Sequence, residues 1–221
     1  MKYKLIVFDM DGTILDTLAD LTTTTNYVLA KHGYPPKTKE EVRCAIGDGI
    51  IRLLDRSVDN LTEVQLEEFV QDFLRYYHDH SDIETLPYEG MVDELKKVKE
   101  KGYKLAVATN KDEKIATALA TKHFPGLFDA VVGYNYVRKG KPSFDMFIDL
   151  LKMFNITKEE LIFFGDSNTD AETIIRNDIK GCIVLWGLKT KEELEKYNLP
   201  KIDRVSDISR VIEDSKKLNK H

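Results

Sequence analysis

The sequence predicts an α/β fold: a Rossmann-like parallel sheet with helices on both faces, plus a small all-helical unit inserted after the first strand. Three observations carry this. Apolar runs of strand length recur at residues 5–8, 105–108, 130–132, 161–164 and 183–185. Helical apolar spacing separates most of them, and alternation of strand and helix implies a parallel sheet covered on both sides. The alternation fails only between about residues 17 and 86, where helical patterns follow one another without a convincing strand.

The first run, at 5–8, is continuously apolar, as a strand buried on both faces requires. In the stretch after it, Gly33-Tyr34-Pro35-Pro36 separates two helices. Thr62 and Gln65 form a capping box. They open a helix whose Leu66, Phe69, Val70, Phe73, Leu74 and Tyr77 fall on one stripe. A connection of about 70 residues is too long for a loop and has to fold as its own unit. The division expected is therefore 1–16 with 87–221 as a core and 17–86 as a helical cap. Met91, Val92, Leu95 and Val98 mark a helix before the second run, and Phe144, Phe147, Ile148 and Leu151 mark another before the fourth. Thr157 and Glu160 cap the turn into the fourth run.

Composition narrows the function classes. The 221 residues are 42% hydrophobic and 32% charged, with net charge −5 and pI near 5.6. An acidic chain lacks the basic face of a nucleic-acid binder. Lys216, Lys217 and Lys220 read as a short solvated tail. Cys44 and Cys182 are far apart and without metal-type spacing, which fits two free thiols in a reducing compartment. The first apolar run is shorter than the ~7–15 residues of a signal peptide, and no run reaches the ~18 of a membrane span. A cytoplasmic protein with no membrane partner is expected.

Four places carry chemistry. Asp9-Met10-Asp11-Gly12-Thr13 leaves the first strand, and its two carboxylates would repel each other near the core unless a cation joined them. Hard oxygen ligands suit magnesium. A calcium loop needs Gly sixth and Glu twelfth, whereas Gly12 is fourth and Asp20 twelfth. Thr109-Asn110-Lys111 follows the second run, where a hydroxyl and free N–H groups at a strand-to-helix turn suit a phosphate. Lys141 precedes Pro142 in a loop; it bears on the chemistry only if it points to the acids. Asp166-Ser167-Asn168-Thr169-Asp170 follows the fourth run, with Asp166 and Asp170 four apart on one face of a helical turn. The calcium-loop reading fails there too, at Ala171 and Asn177. All four places fall at carboxyl ends of predicted parallel strands, the edge where open α/β sheets bind ligands.

At these residues the chain resembles the haloacid dehalogenase superfamily over nearly its whole length. Asp9 to Thr13 resembles the first motif, Thr109 the second, Lys141 the third, and Gly165 to Asp170 the fourth. Ile46-Gly47-Asp48-Gly49, Pro87-Tyr88-Glu89-Gly90, Thr109-Asn110-Lys111 and Trp186-Gly187 resemble the phosphoglycolate phosphatase-like group. Val132-Gly133-Tyr134 and the segment ending at Gly181 depart from that group's pattern.

The resemblance implies a magnesium-dependent phosphatase acting on a small phosphorylated metabolite, with 2-phosphoglycolate the leading candidate. Pyrophosphate, sugar phosphates and nucleoside monophosphates remain open. So does a phosphosugar mutase of the β-phosphoglucomutase type, which returns the phosphoryl group to sugar. It implies Asp9 as the nucleophile that forms an aspartyl-phosphate, and Asp11 as the acid for the leaving oxygen and then the base for water. Lys141 and Thr109 complete the catalytic set, and Thr109, Asn110 and Lys141 bind phosphate. The cation's ligands are Asp9, Asp11 through its carbonyl, Asp166 and Asp170, the last directly or through water. Gly47, Gly49 and Arg52 of the cap face the leaving group; Arg43 is a further candidate. A signalling receiver domain, which also phosphorylates an Asp, lacks both the helical insert and a second Asp at the position of Asp11. A monomer or weak homodimer is expected.

Overall fold

The computed structural model describes residues 3–214; Lys216, Lys217 and Lys220 lie outside them. Its centre is a parallel sheet of six strands: β1 (Leu5–Phe8), β4 (Lys104–Asp112), β5 (Ala130–Tyr134), β6 (Leu161–Gly165), β7 (Lys180–Val184) and β8 (Lys201–Ile202). The spatial order is β5-β4-β1-β6-β7-β8. The chain therefore builds outward from β1 on one side, then returns to build on the other. Strand order reverses at β1, and its carboxyl end is the crevice where such sheets hold ligands.

β1 shows why both faces are covered. Ile6 and Phe8 enter one hydrophobic cluster, Leu5 and Val7 the other, and all four are fully buried. The first cluster takes Leu95 of α5 (Met91–Glu100), Leu119 of α6 (Glu113–His123) and Ile212 of α10 (Ile208–Glu213). The second takes Phe147 of α7 (Asp145–Phe154) and Ile174 of α8 (Asn168–Asn177), with Leu194 of α9 (Lys191–Leu194).

The insert consists of α1 (Leu18–Lys31), α2 (Lys39–Ala45), α3 (Ile50–Ser57) and α4 (Glu63–His80). The stripe read from the sequence is the buried face of α4, with Phe69, Val70, Phe73 and Tyr77 inside, and the Thr62–Gln65 capping box is formed. The two chain crossings into the insert pair as a short antiparallel ladder of β2 (Leu15–Asp16) and β3 (Leu86–Pro87). Asp20 of α1 fastens them further, its buried carboxylate accepting from the backbone N–H groups of Ile83, Glu84 and Thr85 and from the Thr85 hydroxyl.

Several strand bounds shift, and β8 has no counterpart in the apolar runs. β4 runs on through Thr109, Asn110 and Lys111 to Asp112, with a register break after Ala108, so that tripeptide lies in an irregular strand end rather than a turn. β7 starts earlier than the apolar run because Lys180 and Gly181 belong to it, and Leu185 lies past its end. β8 has two residues after Pro200, too short for any pattern.

Candidate active site

Asp9 follows β1 directly, and its N–H donates to the Phe164 carbonyl of β6 (2.8 Å), which places it at the reversal point. Asp166 follows β6 directly and Asp170 occupies the first turn of α8. Carboxylate oxygens of Asp9, Asp166 and Asp170 lie within 4.8 Å of one another, and all three residues are buried. The sheet thus brings together acids that are more than 150 positions apart along the chain.

Each acid is held differently. Asp166 accepts from the Thr13 hydroxyl (2.9 Å) on one oxygen and from the Leu188 N–H (2.7 Å) on the other. Asp170 accepts from the N–H groups of Asp166 and Ser167 and from the Ser167 hydroxyl, while its other oxygen meets Lys141 Nζ at 2.7 Å. Asp9 Oδ1 lies 2.9 Å from Lys141 Nζ, yet this buried oxygen has no aligned hydrogen-bond donor. Gly12 keeps the Asp9–Thr13 loop tight at φ +81°, and any Cβ there would strike Asp166 Oδ2. Trp186, beyond β7, donates from its indole N–H to the Thr13 carbonyl (3.0 Å) and closes the ring of loops.

The electrostatics call for a cation. Burial pushes Asp9 up to about 7; Lys141 opposes this and Asp170 adds to it. Asp166 is raised well above the ordinary carboxylate range by burial, then by Asp170 and Asp9. Burial alone would lower Lys141, but Asp170 and Asp9 outweigh it and keep the ammonium charged. One lysine cannot neutralise three buried carboxylates. The all-oxygen donor set, with Asp9 Oδ1 unsatisfied, fits a hard divalent ion such as Mg²⁺.

The other sequence-selected residues gather unevenly. Thr109 and Asn110 line the same cavity as Asp9, Asp11 and Asp166. Asn110 also staples the Lys141 loop, its side chain accepting from Lys141 N–H (2.7 Å) and donating to Lys141 C=O (3.0 Å). The Asp11 carboxylate is not in the acid cluster; it pairs with Lys111 Nζ at 2.8 Å, so its backbone carbonyl is what remains for a cation. Gly47 and Gly49 form the cap edge of the cavity, and a Cβ on Gly49 would lie 3.4 Å from the Asn110 carbonyl. Arg52 is not brought to the acids: its side chain is 63% exposed, pairs with Asp55 (3.4 Å), and lines a neighbouring cavity of about 230 Å³ beside Tyr134 and Tyr136. Arg43 is held by Glu40, Glu193 and the Leu188 carbonyl.

The sequence reading passed over four contributors. Lys111 and Tyr77 meet at Asp11; Asp48 of the cap accepts from the Thr169 hydroxyl of α8. Buried Lys189 lines the cavity and donates to the Cys44 carbonyl (2.8 Å) at the end of α2, with burial lowering its pKa. Of these, Lys111 and Asp48 lay inside quoted motifs, which is the signal that was there to use.

Comparison with known proteins agrees with this geometry. A phosphoglycolate phosphatase of Aquifex aeolicus (strain VF5) is 29% identical over 96% of this chain and 97% of its own length. Phosphoglycolate phosphatase 1 of Pseudomonas aeruginosa is 34% identical over 76% of this chain and 64% of its own. A Bacillus thuringiensis pyrophosphatase, PpaX, is 27% identical over 97% of this chain and 98% of its own. Among solved structures, a Lactobacillus delbrueckii protein provisionally described as a phosphoglycolate phosphatase superposes with a TM-score of 0.89 at 29% identity, covering 96% of this chain and 99% of its own. The model of the haloacid dehalogenase-like hydrolase family matches residues 6–184, so the chain belongs to that family.

Proposed function

We propose that this protein is a magnesium-dependent phosphoric monoester hydrolase working through an aspartyl-phosphate on Asp9, with 2-phosphoglycolate its leading substrate. The observation that carries this is the convergence of Asp9, Asp166, Asp170 and Lys141 in one buried crevice. Bound at those acids, Mg²⁺ would supply the charge that lets a carboxylate meet a phosphate anion. Asp9 attacks phosphorus while Lys141 holds the nucleophile and faces the phosphoryl oxygens. The Thr109 hydroxyl and the Asn110 N–H bind those oxygens. Asp11 gives a proton to the leaving oxygen as its bond to phosphorus breaks; the carboxylate so formed takes one from the water that cleaves the intermediate.

Leu21, Ile46, Ile50, Leu53 and Leu74 give the cap side of the cavity an apolar wall. The likeness to phosphoglycolate phosphatases favours a short acid over a phosphosugar and hydrolysis over the mutase reaction. Pyrophosphate is a second reading, carried by the full-length likeness to the Bacillus pyrophosphatase. We place the protein in the cytoplasm, as a monomer or weak homodimer acting on free metabolites; no described helix is long and apolar enough to cross a membrane.

The test is phosphate release from a panel holding 2-phosphoglycolate, pyrophosphate, glucose 1-phosphate and nucleoside monophosphates. Turnover of 2-phosphoglycolate with Mg²⁺, its loss in EDTA and its return on adding Mg²⁺ are expected. Glucose 6-phosphate formed from glucose 1-phosphate would instead establish the mutase.

A further inference from the structure

Lys111 lines the cavity, and the chemistry above leaves it without a task. It lies beyond the register break of β4, and its ammonium reaches two partners from different parts of the chain. Nζ donates to Asp11 Oδ1 at 2.8 Å and to the Tyr77 hydroxyl oxygen at 2.6 Å, and it stands 4.5 Å from the Tyr77 ring centroid. The Lys111 side chain is 3% exposed and Tyr77 1%, while Asp11 keeps 16%. Burial alone would lower the lysine's pKa; Asp11 and Tyr77 outweigh it and hold the ammonium charged. Burial pushes Tyr77 up to about 12, so the phenol stays neutral.

A buried ammonium is costly unless its hydrogen bonds are met, and here both known acceptors do something further. Asp11 lines the crevice but stands outside the carboxylate cluster, its Oδ1 held by Lys111. Tyr77 comes from α4, so the arrangement is complete only with the cap seated on the core. We infer that Lys111, seated by Tyr77, is a positioning residue: it grips Oδ1 of Asp11 and so leaves Oδ2 to serve the departing oxygen. Proton transfer to the leaving group is thereby tied to cap closure. The inference deepens the proposed phosphatase reading and rests on it.

The test compares two small substrates with opposite needs. 2-Phosphoglycolate departs as an alkoxide and requires a proton from Asp11. Acetyl phosphate is of similar size and departs as acetate, which requires none. kcat/KM includes steps only through phosphoryl transfer to Asp9, so later hydrolysis of the intermediate does not enter. Lys111→Met should lower the ratio of kcat/KM for 2-phosphoglycolate over acetyl phosphate by about 10²-fold, the order lost when a catalytic group is misplaced by about 1 Å. Tyr77→Phe, which removes one oxygen and keeps the ring, should lower the ratio several-fold and keeps the test available if Lys111→Met folds poorly. A wild-type ratio in Lys111→Met, with both rates reduced alike, overturns the role of Lys111. A wild-type ratio in Tyr77→Phe overturns the cap's share in it. Wild-type enzyme that turns over neither substrate overturns the phosphatase reading, and the inference with it.

Discussion

Replacing Asp9 by Asn should stop turnover and at the same time make the metal-free protein more stable. At 2.9 Å from Lys141 Nζ, the charged carboxylate gains about 6 kcal/mol at an effective dielectric of ~20. Asp170 offers an oxygen within 4.8 Å and repels it by at least about 3.5 kcal/mol on the same scale, while Asp166, itself raised well above the ordinary carboxylate range, is not counted as a full charge. Lys141 thus outweighs Asp170 by about 2 kcal/mol, and the cost of burying the charge, several kcal/mol, exceeds that surplus, which is why Asp9 is pushed up to about 7. Asn removes the charge, and Lys141 keeps Asp170 at 2.7 Å. A gain of about 1–3 kcal/mol follows, or roughly 2–12 °C in Tm for a chain of this size. The sign depends on pH. Asp9 titrates near 7 in the fold against an ordinary 3.8, so the penalty is fully present above pH 7 and fades as pH falls toward 4. Melting curves in EDTA at pH 8 and pH 5, with phosphate release in Mg²⁺, measure both halves. A D9N protein that still turns over, or that melts below wild type in EDTA at pH 8, would refute the reasoning.

Lys141→Met should act in the opposite direction, leaving Asp9 and Asp170 buried without their shared counter-charge. Loss of one partner from a buried pair costs about 3–5 kcal/mol, and added Mg²⁺ should recover part of it in a melt. The two thiols should react unequally: Cys44 is exposed, whereas burial pushes Cys182 up to about 12. At pH 8 only about one part in 10⁴ of Cys182 is thiolate, so a disulfide reagent should titrate a single cysteine until denaturant is added. Rapid labelling of both in the native protein would count against the burial of β7.

Much of this architecture was legible because the central strands are apolar on both faces and therefore stand out as runs. The acids were legible because charge at the end of such a run is hard to explain without a ligand. The strand end from Thr109 to Asp112 was not, since polar side chains around a register break carry no alternation. Lys111 stood in the Thr109-Asn110-Lys111 tripeptide without a role of its own, and Tyr77 looked like the last apolar residue of the α4 stripe. Each becomes visible only when folding sets it against Asp11, one through its ammonium and the other through its hydroxyl. Arg52 of α3 pairs with Asp55 at the surface yet lines a cavity that Asn110 and Lys141 share. No periodicity could tell which face of that short helix meets the crevice.

The paired crossings at Leu15–Asp16 and Leu86–Pro87 leave the four-helix insert joined to the sheet by one narrow strap. Every acid of the cluster, together with Lys141 and Thr109, sits on the sheet side of that strap. Under the proposed function, reaction chemistry and leaving-group selection fall in separable stretches of chain. On that reading, residues 17–85 can be reworked to admit a different phosphate ester without disturbing the buried acid cluster, provided an oxygen is still delivered to Lys111 from above.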